Sequence, residues 1–414
     1  MKKIMALRRW VFGIKNYELG SAFALALFLS PIALAVRPLQ AQTLTVLHSF
    51  KCPPEGCSPQ SDLLRDGAGN LYGTAAQGPN GEVFKVTATG TETILHKFTG
   101  GADGANPRAG LIRDSAGNFY GTAYGGGASG DGVVFKLTGS TLTVLHSFSG
   151  TDGAHPAAAL IRDSAGNLYG TTFYGGGDAS CSCGTIFKID PTGAESVLYS
   201  FTGGADGKFP AGRLLLDHAG NLYGTTSQGG TVNCGRFNLQ GCGAVFKLDP
   251  THHLTALYTF NGNSDGGQPQ AGLIRDSSGN LYGTAFAAGD LNRVCAQNNG
   301  CGVVFQVSPT GQETVLHTFS NGTDGANPAG DLIRDAAGNL YGTTKLGGGG
   351  ASIGFGIVFE IPSGGGESIL HTFTGNGDGG DPVAGLIRDS AGNLYGTTTA
   401  GGSATQGVVF KLTP

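Results

Sequence analysis

Of 414 residues, 75 are glycine and only 13% are charged, against ordinary shares of about 7% and about 25%. The glycine follows no three-residue period and proline numbers only 17, which excludes a collagen-like chain, and the length exceeds one ordinary domain unless the architecture grows by adding units. A formal net charge of −4 provides no basic excess for nucleic acid, and none is expected as a partner.

At the N-terminus, Lys2, Lys3, Arg8, Arg9 and Lys15 precede an apolar run from about Ala22 to Val36. That run is too short, and too broken by Pro31, to span a bilayer comfortably. Residues 1–41 are therefore expected to be a secretory signal peptide, cleaved after Ala33-Leu34-Ala35 or, the preferred site, after Ala41; an uncleaved anchor is the alternative. Removal takes away six basic residues and one acidic one, moving the formal charge from −4 to −9. The mature chain is expected to be a secreted or periplasmic monomer with no membrane span.

The next segment, Leu44 to Phe50, reads as a strand, and after it a unit begins to recur. GNLYGT, once GNFYGT, starts at Gly69, Gly117, Gly166, Gly220, Gly279, Gly338 and Gly392, at intervals of 48 to 59 residues, a propeller-blade period. Around each copy stand four strand-like segments, seen in 158–201 as AALIRD, NLYGTTF, GTIFKID and ESVLYSF. Asp163 to Asn167 has the composition of a hairpin turn closed by a positive-φ glycine, and Asp190-Pro191-Thr192-Gly193 that of a second turn. Glycine within the NLYGT strand, from Gly73 to Gly396, predicts that an aromatic ring of the blade lies over the bare backbone.

The strand bearing Phe84, Phe135, Phe187, Phe246, Phe305, Phe359 or Phe410 occurs seven times. So does the VLHSF-type strand, but its first copy precedes every other strand, while the chain ends one strand short. The sequence therefore predicts an all-β, seven-bladed β-propeller with four antiparallel strands per blade. Its repeats lie near 62–98, 109–148, 158–201, 212–260, 271–319, 330–373 and 384–414, the last completed by residues 43–50.

Eight cysteines fall as Cys52/Cys57, Cys181/Cys183, Cys234/Cys242 and Cys295/Cys301 in Gly-, Pro- or Asn-rich loops. In an exported chain, local pairing predicts loop-closing disulfides. Cys181 and Cys183 are the exception, because their ring would be strained and they could pair elsewhere or stay reduced. Zinc at these pairs is the alternative, disfavoured because no histidine accompanies them at ligand spacing.

Two residue sets recur and a third does not. His48, His96, His146, His317 and His371, with Tyr199 and Tyr258, occupy one strand position spread around the ring, and read as packing or hydrogen-bonding residues. Asp103, Asp152, Asp206, Asp265, Asp324 and Asp378, each followed by glycine, read as turn residues, with Ca2+ as the functional alternative; the first blade has Glu55 instead. The arginines from Arg65 to Arg388 that precede the hairpin aspartates read as inter-blade ion pairs. Asymmetry lies in the loops 174–184, 226–243 and 285–302, which are longer and hold six of the cysteines. Arg236, Asn238, Asp290, Asn292 and Arg293 are the candidate ligand contacts there. No close carboxylate pair, Ser/His/Asp set or metal-ligand cluster occurs in these loops, and no catalytic residue is assigned.

The unit PxAGLIRDSAGNLYGTT…GGVVFKLDPTGxxTVLHSFxGxDG resembles the choice-of-anchor GloVer tandem repeat over residues 43–414. Its PxAGLIxDxxGNLY part is similar to NHL-type and streptogramin-lyase-like blades. The resemblance implies an exported bacterial repeat protein without an assigned reaction. The expected function is a secreted, non-catalytic binding or scaffold propeller for a glycan or protein; the alternative is an extracellular lyase or hydrolase using loop carboxylates and a divalent cation.

Overall fold

The computed structural model describes residues 42–53, 56–177, 181–230, 234, 241–291, 295, 299–349 and 354–413. These residues all lie in the unit Ala41–Pro414 and form seven antiparallel sheets of the expected order. In the third blade the innermost strand is Ile161–Arg162, followed outward by Leu168–Thr172, Thr185–Ile189 and Glu195–Ser200. The first blade gains an extra strand, Cys57–Pro59, on the far end of Leu71–Gln77.

The ring closes through the split blade. Thr43–Ser49 pairs antiparallel with Val408–Thr413, from Thr43 opposite Thr413 to Ser49 opposite Val408. Its sequence, TLTVLHS against VVFKLT, is identical to that of the uninterrupted hairpin Val133–Thr138 and Thr141–Ser147 in the second blade, which pairs in the same register. The seventh blade is thus an ordinary repeat hairpin cut at its turn.

GNLYGT builds each blade through one carboxylate. In the hairpin Asp163–Asn167, the Asn167 amide donates to Asp163 Oδ1 at 2.8 Å, and the Asn167 side chain and Tyr169 hydroxyl donate to Oδ2 at 2.6 and 3.1 Å. The same Asn and Tyr donors converge on Asp66, Asp114, Asp217, Asp276, Asp335 and Asp389. The inner glycine is covered as anticipated. A Cβ on Gly342 would stand 2.6 Å from Phe359 Cζ and 2.9 Å from Leu332 Cδ2. Gly342→Ala is therefore expected to cost about 1–3 kcal/mol through overpacking, measured as a lower urea midpoint against wild type.

The core lies between blades. Each of seven buried clusters combines residues from two neighbouring blades. At every junction a fully or nearly fully buried phenylalanine ending an outer strand meets the third-strand phenylalanine of the next blade. These pairs run from Phe50 with Phe84 to Phe373 with Phe410, edge to face at 5.1 to 5.4 Å; edge-to-face geometry matches the ring quadrupoles.

All four local cysteine pairs are disulfides, Cys52–Cys57, Cys181–Cys183, Cys234–Cys242 and Cys295–Cys301, with Cα atoms 5.0 to 5.6 Å apart. This corrects the reservation over Cys181 and Cys183. The left-handed backbone of Ser182, φ 48°, turns the chain tightly enough to bring the two sulfurs together.

Two of these cysteines sit deep within their loops. The sequence places Cys242 and Cys301 in polar, glycine-rich loops, yet both are wholly buried and belong to the core rather than to a site open to solvent. Cys242 joins the cluster of Val245 and Phe260, and Cys301 that of Val304 and Phe319, each at the inner end of its loop, just before the third strand. A cysteine sulfur packs as a small apolar group, so the junction takes it in without an unsatisfied polar atom. The approach is close: a Cβ on Gly262 would meet the Cys242 sulfur.

Candidate functional site

Superposing the seven copies isolates the positions where they differ on the propeller axis. The residue before each innermost-strand leucine is Gly110, Ala159, Gly272 or Gly385 in four blades, but Asp62, Arg213 and Asp331 in blades one, four and six. These three line both axial cavities, one of about 130 Å³ walled by all seven blades and one of about 710 Å³ on the other side.

The small residues make room for the charges. Arg213 Nε lies 3.3 Å from Asp331 Oδ2, while the Gly272 amide donates to Asp331 Oδ1 and the Gly385 amide to Asp62 Oδ1, both at 2.6 Å. A Cβ on Gly272 would come within 3.0 Å of the Asp331 carboxylate, and one on Gly385 within 3.0 Å of Asp62 Oδ1. Burial pushes the Asp62 carboxyl up to about 6, aided by the like charge of Asp331 and opposed by Arg213 and the Gly385 amide. Arg213 is in turn held above its ordinary value by Asp331 and Asp62, against its own burial. A carboxyl that titrates near neutrality beside a guanidinium can bind a polar group or exchange a proton.

Around one mouth of this channel the chain adopts an unusual conformation in every blade. Ser58, Asn106, His155, Phe209, Gln268, Asn327 and Asp381, each preceding a proline, have φ between 53° and 59°. Such non-glycine residues cost of order 1 kcal/mol each. Backbone hydrogen bonds to the preceding blade hold them, as from His155 N to Asp131 O at 2.7 Å and from Phe209 N to Cys183 O at 2.8 Å.

Because their side chains vary, this ring is chemically asymmetric. In blades two to four, Tyr124, His155, Tyr174 and Phe209 make a continuous row with successive ring centroids 4.6, 5.8 and 5.2 Å apart. Phe173 stacks on Phe209 at 5.1 Å and 11°. Cations stand at both ends, Arg108 3.8 Å over Tyr124 and Lys208 5.0 Å over Phe209. Arg108 also lines the smaller axial cavity, so the row runs to the channel. Tyr174 is 36% exposed, and the row presents ring surface to solvent.

Of the sequence-derived contacts, Arg236, Asn238, Asn292 and Arg293 lie outside the described residues. Asp290 is half-buried beside Gly289 in blade five, and it lines neither axial cavity. The loops themselves are where expected: bridges such as Ala154 to Tyr174 and Lys208 to Gln228 place them on the same face as the DG loops.

Five of the six loop aspartates hydrogen-bond the recurrent strand position. His96, His146 and His371 donate from Nε2 to Asp103, Asp152 and Asp378 at 3.1, 2.8 and 3.1 Å, and the Tyr199 and Tyr258 hydroxyls donate to Asp206 and Asp265 at 3.1 and 2.9 Å. The same carboxylates accept from the backbone of their own loop, for example from Thr202 N to Asp206 at 2.7 Å. Glu55 lies outside the described residues.

The repeated arginines depart from the ion-pair expectation. Among the described residues only Arg275 approaches a hairpin aspartate, Asp217 of the preceding blade, at 3.9 Å. Arg65, Arg275, Arg334 and Arg388 instead lie over Tyr395, Tyr223, Tyr282 and Tyr341 of the preceding blade, 5.5 to 5.8 Å from the ring centroids. Each hairpin aspartate is already filled by its Asn and Tyr donors, which leaves the tyrosine face as the partner for the guanidinium.

Fold and site together define a seven-bladed propeller with an asymmetric charged centre on its axis. The chain belongs to the Gloeobacter/Verrucomicrobia repeat family, matching it over residues 36–238 and 238–414. No curated protein compared with the chain matches it. Among solved structures, it is similar to a streptogramin B lyase (14% identity, TM-score 0.60, covering 90% of this chain and 97% of that one). It is also similar to virginiamycin B lyase from Staphylococcus aureus (13%, 0.58, 90% and 99%). A third likeness is to an extracellular domain from B. thetaiotaomicron (13%, 0.53, 89% and 42%). At these identities the likeness establishes the fold alone.

Proposed function

We propose that the protein is an exported, non-catalytic binding propeller that takes a glycan on the aromatic row across blades two to four. The observation that carries this reading is the row itself, four ring systems in contact and partly exposed, two of which, His155 and Phe209, stand on positive-φ backbone. Flat apolar faces flanked by a few polar groups suit a ligand that presents both C–H faces and hydroxyls. Four disulfides suit an oxidising compartment, and residues 1–41 supply the export signal in this reading.

A glycan array followed by titration of the best oligosaccharide tests it. Tyr174→Ala, at the most exposed ring of the row, is expected to weaken binding about tenfold or more, as a central aromatic anchor does, with the melting temperature unchanged. Equal affinity in Tyr174→Ala and wild type would remove the row from the site.

One observation favours a second reading, an extracellular lyase or hydrolase: the Asp62 carboxyl, titrating near neutrality beside Arg213 in the channel. In that case Asp62→Asn abolishes turnover of a polymer substrate, whereas for the binding propeller it leaves glycan affinity intact.

A further inference from the structure

Away from the axis, the outer strands of neighbouring blades meet at another position where the copies differ. Four residues before the recurrent His or Tyr stand Glu92, Glu195, Glu313 and Glu367, with Leu44, Leu142 and Leu254 in the other blades. The glutamate faces the His or Tyr of the preceding blade. Glu92 Oε2 lies 3.6 Å from His48 Nε2, and Glu367 Oε2 lies 3.7 Å from His317 Nε2.

At the junction of blades five and six the histidine stands apart from its loop aspartate. Where His96, His146 and His371 bond their loop aspartates directly, His317 Nε2 stands 3.8 Å from Asp324 Oδ2, beyond hydrogen-bonding range. His317 Nε2 and Glu367 Oε1 are buried without a hydrogen-bond partner, and the Glu367 side chain is only 8% exposed. The ligating atoms of His317, Asp324 and Glu367 all lie within 4.8 Å of one another. Two carboxylates and an unbonded imidazole nitrogen thus share one desolvated space, an arrangement that a cation relieves.

The spacing also suits an ion. Tetrahedral metal bonds of about 2.0–2.2 Å put ligand atoms about 3.3–3.6 Å apart, so His317 would draw in from 3.8 and 3.7 Å by a few tenths of an ångström, and the two carboxylates, within 4.8 Å of each other, by no more than about 1.5 Å. The imidazole ligand favours a transition ion over Ca2+ or Mg2+, which take oxygen ligands. Asp324 Oδ1 accepts from Ser320 Oγ at 2.7 Å, and Oδ2 accepts from Ser320 N at 2.9 Å, which fixes that carboxylate.

We propose that His317, Asp324 and Glu367 bind one divalent transition-metal ion of the Zn2+ class, which clips blade five to blade six. The related cluster of His146, Asp152 and Glu195 is the internal comparison, because His146 already bonds Asp152 at 2.8 Å.

The test uses untagged full-length protein, stripped with chelator and titrated with ZnCl2 by calorimetry, with bound metal counted after dialysis. Wild type is expected to bind one equivalent with micromolar affinity or better and to melt at higher temperature with Zn2+ present; excess Ca2+ does not displace it. Glu367→Gln, which removes a buried charge and should not impair folding, is expected to lose that equivalent and the Zn2+-dependent shift. His317→Tyr, carrying the residue that blades three and four use, should behave in the same way, while His146→Tyr retains the equivalent. Absence of a saturable equivalent in wild type, or its persistence in folded Glu367→Gln, would overturn the proposal.

Discussion

Deletion of residues 43–50 is expected to abolish cooperative unfolding and to leave an aggregating protein. The deletion strips the pairing partner from Val408–Thr413 and empties the place of Phe50, which is fully buried against Phe84. Phe50→Ala alone should cost about 3–5 kcal/mol, and the freed strand edge is a template for pairing with other chains. Moving 43–50 to the C-terminus, joined after Thr413 through the two-residue Gly139-Ser140 turn of blade two, is expected to restore a single cooperative transition. Denaturant unfolding and light scattering read both. A deletion variant that melts like wild type would mean that the ring does not need its N-terminal strand.

Arg213→Ala is expected to cost about 1–3 kcal/mol at pH 8, because it leaves Asp62 and Asp331 together without their cation, while solvent at the 42%-exposed Arg213 side chain keeps the loss below that of a fully buried pair. The pH dependence has a definite sign. Asp62 is raised from an ordinary 3.8 to about 6 in the folded protein, so the folded state retains a proton that the unfolded chain has released. The Asp62 contribution to stability is greatest below about 4, declines as pH rises towards about 6 and is level above it. Without Arg213 the folded value rises further and the decline extends to higher pH. Urea unfolding of the variant at pH 5 and pH 8 should therefore show the smaller loss at pH 5, and adding Asp62→Asn should recover much of the loss at pH 8. An equal loss at both pH values would show that the charges are not coupled in this way.

The architecture is readable because the repeat writes it seven times. Strand order, the split blade, the aromatic cover over Gly342 and three of the four disulfide loops follow from local patterns that a period makes unmistakable. Cys181 and Cys183 are harder, since pairing two residues apart depends on one backbone angle at Ser182. The burial of Cys242 and Cys301 is hidden for a different reason: their chain neighbours are glycines and polar residues, and the apolar groups that cover them come from other strands.

The functional positions are less readable for a physical reason. Long, irregular loops attract attention as sites, yet the asymmetry that structure brings together sits inside the repeat, at single substitutions. Asp62, Arg213 and Asp331 replace a residue that is glycine in three of the other four blades, and aligning the copies would expose them. Glu367 is harder still, because its partner lies on another blade. In the sequence the histidines form a scattered ring, which is correct for His96 or His371, but nothing there brings Glu367 to His317 across a junction. The row from Tyr124 to Phe209 likewise draws on three different repeat positions in three blades.

The central claim is that identical residues build the ring and variable residues at the channel mouth bind the ligand. It is tested by levelling the copies: Tyr124→Thr, Phe173→Thr, Tyr174→Ala and Phe209→Asn together, each the residue another blade carries at that place. Titration with the oligosaccharide that wild type binds best, alongside thermal unfolding, gives the answer. Intact cooperative melting with binding lost is the predicted result, and a folded, levelled protein that binds with wild-type affinity would contradict it.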